Sequence, residues 1–117
     1  MIKISHDAKR NIVALEYEGN VDAREAKEVY LKLQTLIPKC HRGFKLLADL
    51  SLVDNIKKEV LPVIRKVMDL LNQQGISEVI RIIPDPDKDI GFNILSIFHY
   101  DKDVKVLTCQ SLEQVHW

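Results

Sequence analysis

Apolar positions along this chain switch between a period of two and a period of three to four, and the switches mark out its elements. Ile2 and Ile4 alternate with Lys3 and Ser5, and the run from Ile12 to Tyr17 is again β-branched and apolar, which predicts two strands. The polar turn HDAKRN between them is too short to return the chain in parallel, so the pair forms an antiparallel hairpin. Gly19 and Asn20 are expected to end it. A helix follows from Asp22 to about Ile37, with Ala26, Val29, Tyr30, Leu33, Leu36 and Ile37 on one face. Asp22 and Glu25 have the spacing of a capping box, and Pro38 stops the helix.

The loop KCHRG returns the chain to a near-continuous apolar run, Phe44 to Leu50, the pattern of a central strand buried on both faces. In open α/β sheets the carboxyl ends of such strands are where ligands and partners meet the protein. Asp49, Ser51, Asp54 and Asn55 therefore stand at this carboxyl end, Ser51 at the strand end and Asp54 and Asn55 at the turn into the next helix. A second helix runs to Gly75, and Pro62, comfortable only in a first helical turn, favours a start near Leu61 over a kinked segment from Ile56. Val79 to Ile83 forms another buried strand, closed by PDPDKD, and a third helix is predicted over roughly Lys88 to Tyr100. Val104, Val106 and Leu107 give the last strand, after which SLEQ opens a short terminal helix as a capping box. The order β-β-α-β-α-β-α-β-α predicts one α/β domain over residues 1–117, a mixed sheet of about five strands with right-handed crossovers and helices packed on it.

Composition narrows the function. Lys plus Arg and Asp plus Glu each number 17, and a formal net charge of zero supplies no field to draw in nucleic acid or an acidic membrane. Cys40 and Cys109 match no zinc or redox spacing and are read as reduced thiols. The start MIKISHDAKR lacks a signal-sequence pattern and no apolar run reaches membrane-spanning length, so a cytoplasmic location is expected.

Candidate chemistry is sparse. Asp85, Asp87 and Asp89 alternate as calcium ligands do, yet Ile90 and Ser96 stand where an EF-hand loop needs Gly and Glu, so a solvated turn is the better reading. His6, His41, His99 and His116 have no ligand spacing, and no Gly-rich phosphate loop or GxSxG element occurs. No catalytic, metal or cofactor residue is assigned, and no enzymatic activity is expected. The third helix is apolar on nearly every side, through Phe92, Ile94, Leu95, Ile97 and Phe98. Neighbouring helices, a second copy, a partner surface or an apolar ligand would each account for that.

The stretch ADLSLVD after the central strand resembles the Asp-Leu-Ser-x-Val run of the STAS superfamily, the anti-sigma-factor-antagonist fold, and especially its SpoIIAA-like bacterial branch. Ile90, Gly91 and Phe92, and the closing VKVLTCQSLEQV, are similar to the same family's third helix start and final strand. The resemblance implies a regulatory module that binds a protein partner or itself. Its partner-binding residues would be Asp49, Ser51, Asp54, Asn55, Lys58, Phe92 and Phe98. It departs from partner-switching members at one point: no Ser or Thr lies between Leu52 and Ile76, so the hydroxyl phosphorylated at the start of their second helix is missing. Ser51 is the nearest acceptor and is read as a turn residue bonding locally. A small apolar-ligand carrier is the alternative, motivated by the third helix and by fold analogy with lipid-binding relatives.

Overall fold

The computed structural model describes residues 1–90 and 103–115. Its strands are β1 (Ile2–Asp7), β2 (Ile12–Val21), β3 (Lys45–Ile56), β4 (Glu78–Ile82) and β5 (Lys105–Cys109), and its helices are α1 (Ala23–Leu36) and α2 (Leu61–Gln73). The strands lie side by side in chain order, β1-β2-β3-β4-β5, with β1 antiparallel to β2 and every later pair parallel. This is the expected mixed sheet of five strands.

Both described α-helices pack on one face. Ala26, Val29 and Leu33 of α1 and Val63, Ile64, Met68 and Leu71 of α2 join Val13, Leu15, Tyr17, Leu46, Ala48 and Leu50 of the sheet in one buried cluster. The opposite face buries Ile12, Leu47, Ile80 and Ile82, on which Val115 packs. Leu46, Leu47 and Ala48 are thus buried whichever face they take, which is why that run reads as continuously apolar.

Helix ends follow their local chemistry. Asp22 caps α1, its carboxylate accepting from the Glu25 N–H at 2.9 Å. Pro38 does not halt the chain at once but sits inside a 3-10 turn, Ile37–Lys39, where its missing N–H costs nothing. A second 3-10 turn, Lys58–Val60, precedes α2, so the late start at Leu61 holds and Pro62 falls in the first turn. Gly75, at φ +86°, closes α2; a Cβ there would stand 2.8 Å from Cγ of Arg42.

Four expectations need correction. Gly19 and Asn20 do not end β2, which continues to Val21 because β3 continues beside it. β3 runs through Ile56, so Asp54 and Asn55, like Asp49 and Ser51 before them, lie within the strand and not at a turn into the next helix. Lys88 to Ile90 belong to the loop after β4, and the remainder of the predicted third helix, with Phe92 and Phe98, lies outside the described residues. The terminal helix is a single 3-10 turn, Leu112–Gln114, without a side-chain bond from Ser111; the Gln114 side chain instead accepts from the Gln110 N–H at 2.8 Å.

Candidate functional site

The second half of β3 is irregular, and the irregularity builds the site. In the pairing with β2, Glu16 faces Asp49 and Glu18 faces Leu52, so three steps along β3 match two along β2. Gly19 then faces Val53 and Asn20 faces Asn55, so two steps match one. Each mismatch is a β-bulge that inserts one extra residue into β3 and flips the phase of its pleat. The core-facing positions accordingly run Leu46, Ala48, Leu50, then Val53, then Ile56, spaced by two and afterwards by three. Leu52, only two residues after buried Leu50, is turned out and 62% exposed.

Bulges free backbone groups that must find other partners. At the first, the Asp49 carboxylate accepts from the Ser51 N–H at 2.9 Å and from the Ser51 hydroxyl at 2.6 Å. At the second, the Lys88 ammonium donates to the Val53 carbonyl at 2.7 Å and stands 3.6 Å from the Asp54 carboxylate. Ile56 N–H donates to the Ile90 carbonyl at 2.9 Å, and Lys57 N–H to the Val21 carbonyl at 3.2 Å. β4 pairs with β3 only as far as Asp49, so the loop after β4 borders the outer half of β3. The result is a ledge at the carboxyl ends of the parallel strands: Leu52 exposed, Asp49 and Ser51 before it, Asp54 and Lys88 after it.

The structure therefore brings Asp49 and Ser51 into direct contact and sets Asp54 and Asn55 on the same stretch of strand. Lys58 follows two residues after β3, exposed at the start of its 3-10 turn. Two members of the ledge escape sequence reasoning. Leu52 reads as one more residue of an apolar run, and Lys88 reaches its partners from 35 residues away.

Polar groups of the ledge and of the loop beside it bond locally. The Ser51 hydroxyl is spent on a carboxylate two residues back, a local motif that holds the bulge. Asp85, the first acid of PDPDKD, accepts from the Asp87 N–H at 3.0 Å through its side chain and from the Lys88 N–H at 3.2 Å through its carbonyl, which is turn geometry. Among the described residues no group of three His, Cys, Asp or Glu side chains is placed to hold a metal ion.

Away from the ledge, the His6 Nε2 and the Cys40 Sγ lie 3.5 Å apart, a proximity hidden by 34 residues of sequence. Burial pushes the Cys40 thiol pKa up, which works against a reactive thiolate. Neither Cys40 nor Cys109 is in a disulfide. The apolar cleft between the sheet and both helices, lined by Ile2, Leu15, Tyr17, Val29, Leu46 and Val63 among others, measures about 10 Å³. That is room for about one water, so this part of the core is full. No helix among the described residues is long and apolar enough to cross a membrane.

No protein-family model matches the chain, and no curated protein matches it in sequence. Solved structures similar to it in fold include the following two. One is the anti-sigma factor antagonist SpoIIAA in its unphosphorylated form, with a TM-score of 0.59 at 14% identity, covering 74% of this chain and 76% of that one. The other is the protein Mglu, with a TM-score of 0.54 at 21% identity, covering 73% of this chain but 19% of that much longer one.

Proposed function

From the SpoIIAA-like STAS fold as premise, we propose that this chain is a non-enzymatic regulatory module that binds another protein through the ledge at the carboxyl ends of β2 and β3. Leu52 carries this reading. A leucine that the first bulge turns outward, 62% exposed and set between acid groups and Lys88, has the makings of an interface centre with a polar rim. A strand of this sheet without bulges would have hidden its apolar row and offered no such contact.

Regulation by phosphate at the start of α2 is not part of the reading. The segment from Leu52 to Ile76 contains no Ser or Thr, and neither α2 nor the 3-10 turn before it has a side-chain cap. Binding is thus constitutive, or is controlled on the partner's side. The soluble character expected of such a module points to a cytoplasmic location.

The test is association with and without the ledge. The tagged chain purified from its natural cells is expected to carry a stoichiometric protein partner by native mass spectrometry. Leu52→Asp and Asp54→Lys should each release that partner while circular dichroism and melting temperature stay near those of the parent. Retention of the partner in both variants, or steady turnover of a small-molecule substrate by the bare chain, would sink the proposal.

A further inference from the structure

The free edge of β1 has a hydrogen-bonding phase that can be read from its pairing with β2. Met1 and Glu18 exchange both backbone bonds, Glu18 N–H to the Met1 carbonyl at 2.7 Å and the Met1 amino group to the Glu18 carbonyl at 2.6 Å. Antiparallel ladders alternate bonded and non-bonded pairs. Lys3, Ser5 and Asp7, opposite Glu16, Ala14 and Ile12, therefore turn their backbone groups toward β2. Ile2, Ile4 and His6 turn theirs outward. Among the described residues β2 is the only strand beside β1, so this outward row borders no other strand.

We infer that the β1 edge pairs antiparallel with the β1 edge of a second copy of this chain, about a two-fold axis through Ser5. Only even-numbered residues present outward groups, so the axis must pass through a residue and not between two. An axis at Lys3 sets that lysine against itself, and like charges directly opposite are unfavourable. An axis at Ile4 or at His6 pairs one charge with Ser5. An axis at Ser5 sets Lys3 of each copy opposite Asp7 of the other, twice, in non-hydrogen-bonded pairs where side chains approach most closely. Ile4 and His6 then exchange the backbone bonds. Lys3 and Asp7 side chains are 55% and 42% exposed, and their present partners, Glu18 at 3.2 Å and Arg10 at 3.3 Å, are surface pairs of the weak kind that leave both charges available. The two sheets become one of ten strands, with the helices of both copies on the same face and both ledges uncovered. This surface is separate from the ledge, and neither reading depends on the other.

Six-residue edges bury less than a standard interface, so the dimer belongs to the weak, concentration-dependent class. Sedimentation velocity on the full chain should show the mass rising toward twice 13.5 kDa with concentration. Lys3→Asp places two acids at each contact and Asp7→Lys two bases, so each variant alone should remain monomeric. Mixed one to one, the two variants should form a heterodimer, and the double charge swap should restore self-association. Circular dichroism checks that each variant is folded. A parent chain that stays monomeric up to about 1 mM overturns the inference and leaves Lys3 as a guard against edge pairing. Self-association that survives in both single variants, or a mixture that does not associate, overturns it equally.

Discussion

Lys88 donates its ammonium proton to the carbonyl of Val53 at 2.7 Å, pinning the second bulge of β3 from a loop 35 residues away. Replacing Lys88 with Met keeps the stem and removes the donor. The expected cost is about 1 kcal/mol, since water can partly replace the lost bond. Asp54→Asn should change stability by less than about 0.5 kcal/mol, because an exposed ion pair is worth little. Urea denaturation of the two variants checks the ranking; equal losses would mean that the ion pair, and not the carbonyl contact, holds the loop.

The first bulge separates Leu50 from Leu52, which would share a face in a regular strand. Leu50 is 2% exposed and Leu52 is 62% exposed. Leu50→Ala should cost about 2–5 kcal/mol through transfer and cavity terms, whereas Leu52→Ala should stay within about 0.5 kcal/mol. Denaturant midpoints measure both. Similar losses at the two sites would place both side chains in the core and remove the first bulge.

Asp49 gathers both the N–H and the hydroxyl of Ser51. Asp49→Ala should therefore destabilise more than Ser51→Ala, by about 1–2 kcal/mol against about 0.5 kcal/mol, because only the former strips the bulge of its backbone bond. Thermal melts decide the order. The reverse order would show the hydroxyl to be the more important ligand.

Tyr17 is buried, and desolvation raises its phenol pKa well above the ordinary 10.0. The unfolded chain loses this proton first, so the folded state binds more protons above pH 10. Stability due to Tyr17 is full below that value and falls as pH rises past it, by up to about 1.4 kcal/mol per pH unit. Denaturant melts between about pH 8 and 11 should show this decline in the parent and less of it in Tyr17→Phe. Identical slopes would mean that Tyr17 ionises without unfolding.

The order of the five strands and of α1 and α2 was legible because the chain's periods are clean: alternation through Ile2 to Ser5, three-to-four spacing from Ala26 to Ile37, and a solid apolar run at Leu46 to Ala48. What the pattern concealed is the continuation of β3. Core positions Leu50, Val53 and Ile56 are spaced by three, and a spacing of three between apolar residues mimics a strand that has ended and a helix that has begun. Asp54 and Asn55 were thereby placed at a turn into the next helix, where the strand in fact continues. Only long-range pairing with Glu18 to Val21 resolves the ambiguity, and Gly19 and Asn20, poor strand formers, disguised that partner as a turn. Lys88 and the His6–Cys40 proximity depend on contacts across more than thirty residues, for which no local pattern exists.

The sheet's neighbour-by-neighbour strand order also bears on how the chain assembles. Among the described residues no strand has to wedge between two that came before it; each later strand meets an edge already laid down by its predecessor. As the polypeptide emerges during synthesis, the hairpin, α1 and β3 can form a platform before β4 exists, and β4 before β5. Pairing partners are sought close by in the chain, so the loops to be closed are short for a largely parallel sheet. Maturation can proceed as growth from one side, without any completed ladder being reopened.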